Sequence, residues 1–425
     1  GGTGAVSPAP RSSLASHGVR PTGRLLPVAI EAYLAWVLVL STGAVLPLLA
    51  MGEGTSLAPE DSALLRLTLL PVLALVPVLV ALHGRPLLAE LPRLPLLLAL
   101  LALALFSTLW SVEPGVTLRR AVAFAACALL GAVMGLRWSG RELLERLLWL
   151  TFFVLAASLL FQLALPRLAT MGDGSWRGAF AHKNVLGQMS AFSVLVLLLA
   201  WRHRLAARPL LAAALVLAFS FLLFARSATS LVVTLAVGAG FLLTGRGALP
   251  TLAKAALVAF AAAGLALAVL WVILAPEAAV ELLGRDLTLT GRLPLWELVL
   301  SRIAERPWLG YGFHALFTVP AFADYVLLTL GWNAPNAHSG YLEVALGLGW
   351  IGLALTLALL AQAGLRALRA LGSTDPLAGE AALLFLVAYL ARNLVESELL
   401  LQTHLSWLVL VALLVRTGLA RTGRP

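Results

Sequence analysis

The side chains best suited to chemistry in this sequence are one histidine, His338 in NAPNAHSGYLEV, and three arginines, Arg177, Arg285 and Arg292. An imidazole with an ordinary pKa accepts a proton at neutral pH without large tuning, so His338 is the candidate general base. Guanidinium groups stay charged, grip phosphate oxygens through a planar fork and lose less to hydration than ammonium groups. The arginines are therefore candidates for holding a phosphate-bearing substrate. Arg119, Arg120, His182, Lys183 and Asn184 sit at the mouths of apolar blocks, where a polar group turned toward lipid would be expensive. With Tyr341 they complete the candidate substrate-binding set.

Each assignment has a plainer counterpart. Arginine and lysine near the end of a membrane span often anchor it among lipid headgroups, and Arg167, Arg302 and Arg306 are assigned that role. Arg177, Arg285 and Arg292, flanked by Gly, Trp and Thr, are assigned to function. A lone histidine is more often structural than catalytic. His338 stands apart because it ends a segment that already carries Arg285 and Arg292. His182 is the second candidate, and His314 reads as structural. Arg392 and Glu396, spaced i, i+4, predict a structural ion pair on a helix. No HExxH, closely spaced carboxylate pair of the DxD kind, Cys/His cluster, P-loop or GxGxxG in its required setting occurs, so neither a metal site nor a cofactor is expected.

The elements that must position these groups follow from composition. Of 425 residues, 61% are hydrophobic and 12% charged, against roughly 25% charged in a soluble domain. The apolar residues fall in blocks close to the ~20 needed to cross a bilayer core, and backbone groups in lipid must bond within their own segment. Period-2 alternation is absent, which excludes a lipid-facing barrel. An all-α polytopic membrane protein with about twelve transmembrane helices is expected, with spans at 27–50, 64–83, 95–110, 117–135, 143–165, 185–201, 209–224, 231–243, 252–274, 341–361, 381–395 and 399–415. Residues 1–26 read as a disordered cytoplasmic tail, and 27–425 as a single transmembrane domain.

The net charge of +10 invites a nucleic-acid partner, but its distribution argues against one. Lys and Arg concentrate in alternate connecting segments and acidic residues in the others, the pattern of basic cytoplasmic loops. This orientation puts both termini inside and the segments 166–184 and 276–340 outside. The only cysteine, Cys127, lies mid-span and permits no intrachain disulfide. Loop 276–340 is too rich in aromatic residues to be disordered. Within it Trp296, Val299, Leu300 and Ile303 follow helical spacing. They predict a short amphipathic helix, lying on the outer leaflet or over a cavity, or packed on its own loop. Pro307 and the glycines at 310 and 312 then break it.

Four blocks, LWSVEPGVTLRRA, WRGAFAHKNVLG, LTGRLPLWELVLSRIAERPWLGYGF and NAHSGYLEVALGLGWIGLAL, together resemble the bacterial O-antigen ligase and polymerase superfamily over about 109–355. The resemblance implies a GT-C-like, metal-independent glycosyltransferase in the bacterial inner (cytoplasmic) membrane. Such enzymes move a glycan from undecaprenyl pyrophosphate to an acceptor hydroxyl on the periplasmic side. It implies a lipid-linked glycan donor, a glycan acceptor, membrane lipids and a chain-length regulator as partners. His338 matches the family's proposed base, and Arg177 and Arg292 match arginines proposed to hold pyrophosphate. The family often has Asn after this histidine, where Ser339 stands here. The WRG…HKN block is more similar to exopolysaccharide polymerases than to ligases that load lipid A core. A polymerase is therefore expected, with a ligase, or a transporter of an anionic lipid-linked solute, as the alternatives.

Overall fold

The computed structural model describes residues 22–46, 63–244 and 288–421. The predicted span 252–274, Arg285 and most of the predicted tail lie outside them. Among the described residues all the regular elements are helical, and the only extended pairing is an isolated bridge between Thr170 and Trp176. In chain order the helices are α1 (Thr22–Ser41), α2 (Ala63–Leu82), α3 (Gly84–Glu90), α4 (Pro95–Phe106), α5 (Pro114–Arg137), α6 (Gly140–Ala164), α7 (Lys183–Arg202), α8 (Arg208–Phe224) and α9 (Ala228–Thr244). After the gap come α10 (Thr288–Glu305), α11 (Pro320–Leu330), α12 (Gly340–Ala370), α13 (Pro376–Arg392) and α14 (Leu405–Arg421).

Local chemistry sets many of the starts. Proline opens α4, α5, α11 and α13, where its missing N–H has no helical partner to lose. Ser139 and Glu142 close a reciprocal capping box on α6. The His182 ring accepts from the Asn184 N–H at 3.2 Å and caps α7.

Among the described residues four helices, α5, α6, α7 and α12, are long and apolar enough to cross a membrane. A fifth span results if Leu70–Leu82 and Gly84–Arg93, bent by 86°, count as one broken helix. Shorter apolar helices cover several other expected spans, among them α1, α4, α8, α9 and α14. The last predicted span begins later than its apolar run suggests. Leu399 and Leu400 are buried in a folded-in connection, and α14 starts only at Leu405.

The bundle closes around α5 and α14. Gly131 and Gly135, one turn apart on α5, press against the carbonyls of Leu408 and Ala412; an added Cβ would meet those oxygens at 2.7 and 2.4 Å. Small residues at this spacing let two helices approach backbone to backbone. The Trp407 indole donates to the Phe124 carbonyl at 3.2 Å and stacks on the Phe124 ring. At the end of the bundle marked by Arg137 and Gly140, polar clamps join the helices. Glu31 of α1 accepts from Arg137, Trp138 and Arg146. Asp375 accepts from the Gly140 N–H and from Arg416.

Helix α12 is broken at Gly349, whose φ of +67° and ψ of −171° are open to glycine alone. The segment after α10 enters this break. The N–H groups of Tyr311 and Gly312 donate to the carbonyls of Leu346 and Gly347 at 3.0 and 2.9 Å, and the Trp350 N–H donates to Pro307 at 2.7 Å. The backbone groups freed by the break are thus satisfied by another segment, as burial demands. Two glycine-rich blocks of the sequence, ERPWLGYGF and ALGLGW, are the two sides of this joint.

Beside it, α10 buries Leu295, Leu298, Val299 and Ile303 against Phe322, Val326, Ala337 and Leu346. The helix is packed on its own loop and on α12. Leu300, expected on the apolar stripe, faces outward instead, because the buried stripe runs through 295, 298, 299 and 303.

Candidate active site

The turn that enters α12 is held from four directions. The Ala337 N–H donates to Glu343 Oε2 at 2.8 Å, and the Ala337 carbonyl accepts from the Trp296 indole at 3.0 Å. The His338 N–H donates to Asn336 Oδ1 at 2.9 Å. The Ser339 N–H donates to Ser397 Oγ at 3.0 Å, and the Gly340 N–H reaches the carbonyls of Asn393 and Glu396. These bonds keep His338 at a φ of +46°, a left-handed conformation uncommon for a residue with a Cβ. Over-determination of this kind is characteristic of functional positions.

Around His338 the structure gathers groups from distant parts of the chain, and their common neighbour is Glu396. Its Oε1 lies 3.4 Å from Arg292 Nη2 and 3.4 Å from Asn184 Nδ2, while its Oε2 lies 4.0 Å from His338 Nδ1. Three candidates named from sequence therefore converge on a carboxylate that was assigned elsewhere. Arg392 pairs with Glu398, not with Glu396. The regular helix ends at Arg392; the Glu396 N–H still donates to the Arg392 carbonyl at 3.0 Å, but the Arg392 guanidinium turns to Glu398. Glu398 also accepts from Gln188 at 2.7 Å, and its N–H donates to Asn393 Oδ1 at 3.0 Å. This buried network fixes the connection that presents Glu396.

A second carboxylate supports the turn. Glu343, buried on α12, lies 3.5 Å from His314 Nδ1 besides accepting from Ala337. Arg120 in turn donates to the His314 carbonyl. His314 is thus held between Glu343 and Arg120, and Arg120 contacts the backbone that carries it.

The remaining candidates lie at varying distance from this centre. His182 is close enough to His338 for their charges to interact, and it feels those of Lys183, Asp173 and Arg177. Arg177 donates to the carbonyls of Leu168 at 2.7 Å and Ala181 at 3.4 Å, inside its own loop. Lys183 pairs with Asp173 at 2.5 Å. Tyr341 donates to the Leu390 carbonyl at 3.0 Å, joining α12 to α13. Arg119 is exposed on α5. Glu396 and Glu343 were missed as site residues. The signal that could have found Glu396 is the cost of a carboxylate beside apolar spans with no helical partner.

Burial, reinforced by the charge of Arg292, holds the His338 imidazole down to about 4. The ring is therefore neutral at physiological pH and able to accept a proton. An anion arriving beside it would raise that value and strengthen the base. Burial pushes the Glu396 carboxyl up, against the opposing charges of Arg392 and Arg292. His182 is lowered by burial and then by Lys183. Among the described residues, no group of three or more His, Cys, Asp or Glu side chains is placed to hold a metal ion.

Residues 213–357 match a family model described as O-Antigen ligase. Over that stretch the chain is similar to the O-antigen ligase family. No curated protein matches the chain. The family match runs from within α8 into α12 and includes Arg292, His338 and the break at Gly349. Asn184, His182 and Arg177 precede the matched region and Glu396 follows it. Of the four motif blocks, the match takes in LTGRLPLWELVLSRIAERPWLGYGF and NAHSGYLEVALGLGWIGLAL, while the other two precede it. Similarity to that family points to a glycan-transferring enzyme.

Proposed function

We propose that this protein is a membrane-embedded glycosyltransferase that polymerises glycan repeat units carried on undecaprenyl pyrophosphate. The observation that supports it most is the convergence of His338, Arg292 and Asn184, from three separate segments, on the half-buried carboxylate of Glu396 at the entrance to α12. In this reading the site faces the outer side of a bacterial inner membrane, in a bundle of about twelve GT-C-like spans.

The reaction follows from the groups present. A hydroxyl oxygen of the acceptor sugar attacks the anomeric carbon of the donor glycan, and the bond from that carbon to the pyrophosphate oxygen breaks. His338 takes the hydroxyl proton. Arg292, with Asn184 as a neutral donor, meets the charge that develops on the departing pyrophosphate-lipid, and fixed donors in a water-poor site stabilise such charge strongly. Pyrophosphate leaves already stabilised, so no general acid is needed. A single displacement inverts the anomeric centre. Arg177 and Arg285 are assigned to the lipid-linked pyrophosphate, and His182, Lys183, Arg119, Arg120 and Tyr341 to the walls of the glycan site.

The polymerase reading rests on the similarity of the WRG…HKN block to exopolysaccharide polymerases. Reconstitution of the full chain in lipid with a lipid-linked repeat unit tests it. A ladder of products is expected. One transfer onto a lipid A core acceptor would make the protein a ligase, and movement of the donor without new glycosidic bonds would make it a transporter.

A further inference from the structure

We infer that Glu396 is a resident anion in the donor site: its carboxylate occupies the seat of the donor diphosphate at rest, and moves to His338 Nδ1 when diphosphate takes over Arg292. This rests on the function proposed above and adds a positioning residue to it.

The first observation is that Glu396 is poorly held where it stands. Its side chain is 14% exposed, so water supplies little. Its two contacts to Arg292 and Asn184 are 3.4 Å each, whereas charge-assisted bonds ordinarily close to about 2.7–2.9 Å. The carboxylate therefore engages two donors without closing on either, and a stronger anion could displace it from them. Diphosphate carries more charge than a carboxylate, and its oxygens match the guanidinium fork.

The second observation is the vacancy on the other side. His338 Nδ1 is buried and has no hydrogen-bond partner. The nearest acceptor is Glu396 Oε2 at 4.0 Å, beyond hydrogen-bond range. Closing the gap takes a movement of about 1 Å, within reach of side-chain rotation alone. The main chain of Glu396 need not move, because its N–H is bonded to Arg392 and its carbonyl to Gly340.

The charges act in the same direction. Facing Glu396 are Arg292 from α10, Asn184 from α7, His338 from the turn into α12, and Arg392 and Glu398 from its own segment. Facing His338 are also Glu343 and His182. A diphosphate bound to Arg292 repels the carboxylate away from that arginine and toward the imidazole. Once Nδ1–H is donated to Glu396, the ring's lone pair lies on Nε2, and the carboxylate stabilises the imidazolium formed when Nε2 takes the acceptor proton. The base is completed only when donor is present.

Binding and turnover should therefore move in opposite directions in Glu396→Gln. Inorganic pyrophosphate and undecaprenyl pyrophosphate are titrated into the full chain in lipid nanodiscs, and glycan transfer is followed at saturating donor. Both diphosphates should bind roughly 3- to 10-fold more tightly, because the competing charge on Arg292 is gone. Transfer should fall about 10- to 100-fold, the scale of losing an orienting partner. Glu396→Ala provides the same comparison should the amide misfold the turn. A carboxylate that merely supports the fold would lose both together. Binding that is unchanged or weaker in both variants overturns the exchange, as does unchanged transfer. Failure of the wild type to transfer glycan would instead sink the proposed function, and leave the diphosphate comparison standing on its own.

Discussion

The indole of Trp296 donates to the carbonyl of Ala337 at 3.0 Å, so one face of α10 is pinned to the residue immediately before His338. The loop helix therefore sets the height of the turn that carries the base. Trp296→Phe keeps an aromatic ring in place and removes only this bond. The loss should cost about 1 kcal/mol in stability and lower transfer roughly 3- to 10-fold, since small displacements near a reacting group weigh heavily on rate. Thermal melting and transfer rate measured on one preparation check both figures. A normal rate would detach α10 from the chemistry.

His338→Ala should leave the protein folded and still able to bind donor, while turnover falls about 10²–10⁴-fold, the usual share of general-base catalysis. The pH dependence follows from the held-down imidazole. A base works in its neutral form, above its pKa, and with that value lowered from 6.5 to about 4 the ring stays neutral as the pH drops through 6. The profile of kcat/KM, which reports the free enzyme, should stay flat between about pH 8 and 6 and decline only below that. An acid limb centred at the ordinary histidine value would show that His338 is less buried in the working enzyme, or that it is not the base.

Arg292→Ala should remove a charge-assisted contact to the leaving group, costing roughly 2–4 kcal/mol of transition-state stabilisation, or about 30- to 1,000-fold in rate. Arg292→Lys should rescue only part, because the planar fork is lost. Arg302 provides the contrast. It pairs with Glu305 at 2.8 Å on the outside of α10 and lies over the Tyr325 ring, so Arg302→Ala should leave transfer near normal. An essential Arg302 beside a dispensable Arg292 would mean that the loop has been assigned the wrong way round.

Gly349→Ala probes the joint in α12 without touching the site. The new Cβ would fall 2.2 Å from the carbonyl carbon and oxygen of Trp308, at a φ that an L side chain adopts only under strain. Strain and overpacking together should cost roughly 2–5 kcal/mol. The expected readout is a large drop in melting temperature or loss of folded protein from the membrane. A variant as stable as wild type would show that the 307–312 segment does not enter the helix as described.

Much about this protein was already determined by the order of its residues. Apolar blocks of span length dictate helices, because lipid offers the backbone no other partners. His338, Arg292 and Asn184 could be named because polar groups at such places are costly to keep. The stripe through Trp296, Val299, Leu300 and Ile303 announced an amphipathic helix, but a stripe does not say what covers it, and both the outer leaflet and the loop itself were open. Only the tertiary structure turned it onto Phe322, Ala337 and α12. The same holds for the acids. Whether Arg392 meets Glu396 or Glu398 depends on where the helix stops, and α13 stops at Arg392 itself. Once the chain leaves the helix, spacing along the sequence no longer measures distance. Glu396 was free to meet Arg292 and Asn184, side chains that only the packing of α7 and α10 against the turn into α12 brings within reach.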